Sequence, residues 1–157
     1  IWYYGTMERS AWLDTPLRRY PQAIGNHIMY NHEQGTNDDT LPMESFITSS
    51  DFDLTTEAGA GEQFMLTKRI LPDVSFAGST AATPTINMTL KPRNFPGASY
   101  ETEPDLPVIE TSVDQYTNQV FIRTRARQMG FKISSDALDV QWQLGTPRLE
   151  GRSDGRR

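Results

Sequence analysis

The chain has 157 residues, 36 % hydrophobic and 22 % charged, with a mean hydropathy of −0.58 and a formal net charge of −5. That leaves room for one ordinary domain or two small ones around a thin core, and the acidic balance argues against a dedicated nucleic-acid binder, which carries a strong basic excess. With no cysteine, disulfides and thiolate metal sites are excluded, and no apolar run approaches the roughly 18 residues of a membrane-spanning helix.

Residues 1–35 alternate aromatic, strand-like stretches with turns. Ile1-Trp2-Tyr3-Tyr4 ends at Gly5, Ala11-Trp12-Leu13 ends at Asp14-Thr15-Pro16, and Gly25-Asn26-His27 leads into Ile28-Met29-Tyr30. Bulky aromatic and β-branched residues bounded by Gly, Pro, Asn and Asp favour short strands. Tryptophan-bearing strands at this spacing fit part of a propeller blade. The chain opens at Ile1 on a strand already under way, as expected of the later part of a longer polypeptide. Residues 31–43 form a polar linking loop. The expected units are therefore a partial propeller-like unit with its linker over 1–43, and a β-sandwich-like domain over 44–157.

In the second unit, strands are predicted at 44–49 and 63–71, with a Gly/Ala/Thr turn at 55–62 between them. Leu71-Pro72-Asp73 ends the second strand, because proline cannot donate to a ladder. Over 84–91 the alternation is clean, with Ile86, Met88 and Leu90 on one face and Thr85, Asn87 and Thr89 on the other. Lys91-Pro92-Arg93-Asn94-Phe95-Pro96-Gly97 reads as an irregular turn, and 99–117 as an acidic surface loop. Residues 118–133 predict a strand pair. Val120, Ile122, Thr124 and Ala126 share one face; Phe121, Arg123, Arg125 and Arg127 share the other. Gly130 breaks the pattern, and Phe131-Lys132-Ile133-Ser134 begins the return strand. Val140, Trp142 and Leu144 point inward, and 148–157 is a polar, basic end. No segment holds a helical period for three turns. The expected fold is all-β: an antiparallel sandwich of short strands preceded by a partial propeller-like blade.

Motifs for chemistry are sparse. His27 and His32, five apart, could meet near one turn with Glu33 or Asp38-Asp39 as oxygen ligands, and the loop from Glu33 to Asp39 has oxygens enough for calcium. It lacks the ligand order of an EF-hand, and turn chemistry accounts for Asn and Asp there. No metal or cofactor is assigned. There is no Gly-x-Ser-x-Gly and no phosphate loop. Glycosidase chemistry needs two facing carboxylates, and nothing selects a pair among Asp51, Asp53, Glu57, Glu62, Glu101, Glu103 and Asp105. No catalytic residue is assigned, and the chain reads as non-enzymatic. Trp2, Tyr3, Tyr4, Trp12 and Tyr30 read as core or interface aromatics before they read as a sugar-stacking platform.

One feature is sharp. Arg123, Arg125 and Arg127 place three mutually repelling guanidinium groups on one strand face, which need phosphates, carboxylates or water around them. This strip is the candidate DNA- or anion-facing surface; cross-strand pairing with Asp or Glu, within the chain or across a subunit interface, carries more weight. The basic end, Arg148, Arg152, Arg156 and Arg157, invites the same two readings, beside simple solubility.

Several phrases carry a resemblance. They are Trp2-Tyr3-Tyr4-Gly5, Ala11-Trp12-Leu13-Asp14, His32-Glu33-x-Gly35, Phe46-Ile47-Thr48-Ser49-Ser50-Asp51-Phe52-Asp53, Arg69-Ile70-Leu71-Pro72-Asp73, Leu90-Lys91-Pro92-Arg93-Asn94-Phe95-Pro96-Gly97 and the closing run from Arg125 to Arg157. Together the chain resembles the C-terminal part of tail nozzle proteins of short-tailed bacteriophages, also called tail tubular protein B, and related packaged-DNA stabilisation proteins. The resemblance implies a virion protein that forms a ring of identical copies, expected to be a hexamer, beside the tail adaptor and tail fibre proteins. It implies that genomic DNA is retained and then passes through the channel without specific binding. The alternative is a carbohydrate- or receptor-binding β-sandwich module of a tail adhesin; a glycosidase fragment ranks last.

Overall fold

A computed structural model describes residues 8–56, 59–60, 63–100 and 106–156. The strand expected over Ile1–Tyr4 lies outside them. The described residues fold as antiparallel β-structure without helix, so none of them forms a helix long and apolar enough to cross a membrane. The chain divides into two compact units, Ile1–Gly35 and Thr36–Arg157.

The first unit is a three-stranded meander of β1 (Ala11–Leu13), β2 (Gln22–Gly25) and β3 (Ile28–Asn31), in the order β1-β2-β3. Asn26 and His27, at φ 50° and 64°, form the two-residue turn between β2 and β3. Both residues are left-handed, as the hairpin turn that matches strand twist requires. Gly25 allows the chain to double back, since a Cβ there would sit 2.6 Å from the Glu8 carbonyl oxygen.

The second unit is a sandwich. Its strands are β4 (Ser45–Thr48), the short hairpin β5 (Thr55–Thr56) and β6 (Gly59–Ala60), β7 (Met65–Leu71), β8 (Val74–Ser75), β9 (Thr85–Arg93), β10 (Ile109–Asp114), β11 (Val120–Ala126), β12 (Gln128–Ser135), β13 (Gln143–Leu144) and β14 (Arg148–Ser153). The first sheet runs β10-β9-β12-β4 and the second β11-β7-β14, with β13 and β8 paired apart. Residues of both sheets meet in the core. Ile70 and Val120 of the second sheet pack with Ile86, Met88, Val113 and Ile133 of the first. Met65 and Ala126 pack with Leu90 and Met129. The alternations read from the sequence place Ile86, Met88, Leu90, Val120, Thr124 and Ala126 in the buried set, and Val140, Trp142 and Leu144 are half-buried between exposed glutamines.

Four expectations are corrected. Residues 118–133 are not a hairpin. β11 pairs with β7, whereas β12 pairs with β9 and β4 in the other sheet. The inward parity changes from Val120, Thr124 and Ala126 to Met129 and Ile133, so Arg127 and Gln128 stand together on the outside. This is how one strand bends from one sheet into the next. Gly130 lies inside β12, where a Cβ would come 3.0 Å from Asp51 and 3.2 Å from the Tyr100 hydroxyl.

Residues 91–93 continue β9 instead of turning. Pro92 is tolerated there because Met129, its partner on β12, exchanges both backbone hydrogen bonds with Phe52 on the opposite side, at 2.9 and 3.0 Å. Pro92 therefore sits in a non-hydrogen-bonded pair, its nitrogen turned toward the flank that β10 has already left at Ile109↔Leu90. The 99–117 loop contains β10, with Ile109, Thr111 and Val113 turned toward the core side. The basic end is an edge strand, since β14 pairs along the whole of β7; only Leu149 of β14 packs against the core.

Two outcomes follow from this packing. Ile133 is fully buried in a central strand, so Ile133→Ala should lower unfolding free energy by about 2–5 kcal/mol, read by urea denaturation. In the turn after β10, the Asp114 carboxylate accepts from the Thr117 hydroxyl at 2.7 Å and the Tyr116 amide at 2.9 Å, which hold its pKa below the ordinary 3.8. A depressed carboxylate stabilises its turn above the unfolded pKa and loses that contribution as pH falls through the folded one. Carboxyl NMR titration should find Asp114 below ordinary aspartates, and Thr117→Ala should raise it.

Candidate functional site

The strip singled out in the sequence lies on the outer face of the second sheet. Its inner face is Met65, Thr67, Ile70, Val120, Thr124 and Ala126, all buried. The buried Thr67 hydroxyl donates to the Met129 sulfur at 3.3 Å across the sheets. The outer face concentrates charge. β7 carries Lys68 and Arg69, β11 carries Arg123 and Arg125, and β14 carries Arg148 and Arg152, against one acid within the three strands, Glu150. Six cations less one anion give these strands a net +5, so the rest of the −5 chain carries −10.

The three arginines of the strip do different things. Arg125 Nε donates to Asp154 Oδ2 at 2.7 Å, its Nη2 donates to the Asp154 carbonyl at 3.1 Å, and its guanidinium lies 3.8 Å above the Phe64 ring. Arg127 lies 4.8 Å from the same ring and donates to the Arg156 carbonyl at 3.3 Å. Asp154 is tied to Phe64 by its backbone, at 2.8 Å. Arg125 and Arg127 thus clasp the chain end beside Phe64. Arg123 is exposed and lines a shallow groove of roughly 580 Å³ with Leu66, Lys68, Phe121, Ile122 and Arg152. Lys68 was not singled out from the sequence, and Arg152 was read there only as part of the basic end, apart from the strip. Only the antiparallel pairing of β7 with β11 and β14 brings them beside Arg123.

Irregular pairing sharpens this grouping. Between Phe121↔Arg69 and Thr124↔Thr67, β11 sets Ile122 and Arg123 against Lys68 alone. Between Glu150↔Arg69 and Gly151↔Thr67, β14 has nothing opposite Lys68. Such bulges re-aim side chains, and here Lys68 and Arg123 are both exposed at the point of irregularity.

A second polar cluster, also missed in the sequence, holds the first sheet. Arg93 forms an ion pair with Asp51 Oδ2, the Tyr100 hydroxyl donates to Asp51 Oδ1, and Arg93 Nε donates to Gln128 at 3.2 Å. The Lys91 ammonium and the Arg93 guanidinium lie 5.5 and 5.4 Å from the Tyr100 ring. Both Asp51 oxygens are engaged, so this member of the carboxylate set locks the segment after β4 onto β12 and the turn after β9. Glu57, Glu62, Glu101, Glu103 and Asp105 lie outside the described residues.

The histidines do not converge. His27 is a hairpin-turn residue, whereas the His32 ring lies against Trp12, tilted by 45° with centroids 4.7 Å apart, and accepts from Arg9 at 3.4 Å. Asp38 pairs with Leu41 in a tight turn. Among the described residues, no three His, Asp or Glu side chains form a metal-ligating group. Trp12 is 55 % exposed, and Trp2, Tyr3 and Tyr4 lie outside the described residues.

Burial separates the two ion pairs. Arg93 and Asp51 are 17 % and 13 % exposed, Arg125 and Asp154 about a third. Arg93→Met strands a largely buried carboxylate and should cost about 3–5 kcal/mol. Asp154→Asn removes a solvent-screened pair and should cost less than about 1 kcal/mol. Urea denaturation of both variants checks the contrast.

Comparison of the chain with models of known protein families and with curated proteins finds no match.

Proposed function

We propose that this chain is a structural virion protein, a subunit of a bacteriophage tail ring of the nozzle type that retains DNA and conducts it at ejection. On this reading the partners are further copies of the chain, with the tail adaptor and tail fibre proteins beside them. The family reading comes from the sequence phrases; the observation that supports an assembled subunit is the edge strand β4. β4 ends the first sheet, carries no charged residue and no proline, and contributes nothing to either core cluster. Ile47 is paired with the fully buried Ile133 and shares its core-side face, yet is 51 % exposed. Phe46 on the other face is 53 % exposed, with the Lys132 ammonium 5.3 Å from its ring. Proteins guard such edges with charge, proline or bulges. An unguarded edge beside uncovered apolar surface suits a neighbour's strand.

The imbalance extends across the described residues. Twelve hydrophobic residues are buried, and fourteen large ones are exposed. Exposed apolar side chains in that number support a reading in which other molecules cover some of them. The three-stranded meander of the first unit is compatible with part of a four-stranded propeller blade. A second reading, a glycan-binding module of a tail adhesin, is favoured by the exposed Trp12 in tilted contact with His32.

Sedimentation velocity with electron microscopy of the purified chain tests the proposal. Closed rings of identical copies are expected. Ile47→Lys or Phe46→Glu should release subunits while leaving the unfolding free energy within about 1 kcal/mol, as exposed positions do. A wild-type chain that stays monomeric at high concentration, or binds glycan arrays through Trp12, would overturn the ring reading.

A further inference from the structure

Lys68, Arg123 and Arg152 line one groove on the second sheet, and none of the three side chains has a hydrogen-bond or ion-pair partner among the described residues. Among the described residues, the two acids on and beside β14 are committed elsewhere. Glu150 accepts from Arg69 at 2.9 Å, and Asp154 accepts from Arg125 at 2.7 Å. Three cations sharing an open groove repel one another, and the two bulges that turn Lys68 and Arg123 outward hold them there. Beside them Phe121 stands 74 % exposed. Cations flanking a solvent-facing aromatic suit a chain of phosphates whose bases can stack.

We propose that this groove binds the phosphodiester backbone of nucleic acid, with Lys68, Arg123 and Arg152 contacting phosphates and Phe121 offering its face to a base. This goes beyond passive conduction, because it assigns affinity to one face of the subunit. It does not require the ring. The groove is open and shallow, so a single small anion would touch few of the three cations, whereas a polyanion reaches them all. The −10 carried by the rest of the chain repels the same polyanion and confines contact to this face.

Fluorescence anisotropy with a labelled oligothymidylate, and with a duplex of equal length, tests the assignment over a range of salt. Binding to at least one should weaken as salt rises. Three phosphate contacts on a single strand give a log–log slope of about −2. Combining Lys68→Gln, Arg123→Gln and Arg152→Gln should weaken binding at least about tenfold at low salt, whereas Arg18→Gln in the first unit should not. Phe121→Ala should weaken the single strand alone if bases stack. Equal affinities for both forms, lost together in the triple variant, would assign the site to the backbone only and keep the proposal. No binding of either form at low salt, or wild-type affinity in the triple variant, overturns it. The Ile47→Lys variant separates the two readings: it should lose assembly and keep oligonucleotide binding.

Discussion

The second unit depends on the pairing of one strand. β12 takes β9 on one side and the run from β4 to Phe52 on the other, and it continues directly from β11 in the opposite sheet. Its inward residues Met129 and Ile133 are fully buried. The chain crosses between sheets at Arg127, so β12 cannot slip without carrying β11 with it. A slip of one residue would turn Met129 and Ile133 to solvent and bring lysine and glutamine inside.

Two local devices adapt neighbouring segments to that register. Pro92 occupies a central strand only because its partner Met129 spends both backbone groups on Phe52. Gly130 leaves space for Asp51 and Tyr100, whose contacts with Arg93 close a polar cluster against the same strand. A largely buried ion pair adds little net stability over a well-packed apolar contact but is costly to break. Its part here is to hold two loops in one arrangement.

The second sheet solves a different problem. It has three strands against the four of its partner, and its outer face collects six of the fifteen basic residues of an acidic chain. Glu150 and Asp154 neutralise Arg69 and Arg125, while the bulges at Lys68 leave a cationic groove. At the far edge of the other sheet, β4 leaves apolar side chains in water. One surface concentrates charge, and the other exposes the apolar Phe46 and Ile47.

The all-β class, and the inward faces of β9 and β11, were legible in the residue order, because side chains alternate at a period of two wherever one sheet face is buried. Ile86, Met88, Leu90, Val120 and Ala126 declare that pattern locally, as do the Asn26-His27 turn and the break at Pro72. Two of the edge strands were not legible: β14 faces the core with little more than Leu149, and β10 hides its Ile109, Thr111 and Val113 beside an acidic, proline-containing stretch. The sheet switch after β11 left one sign, the adjacent outward pair Arg127 and Gln128, which a hairpin reading passes over. The strip of Arg123, Arg125 and Arg127 was visible as a pattern of charge. Which arginines are paired, and that Lys68 and Arg152 join the open one, was decided by strand pairing between residues 50 to 88 positions apart. A sequence records which side of its own strand a residue occupies; only the tertiary ladder decides which strand lies beside it.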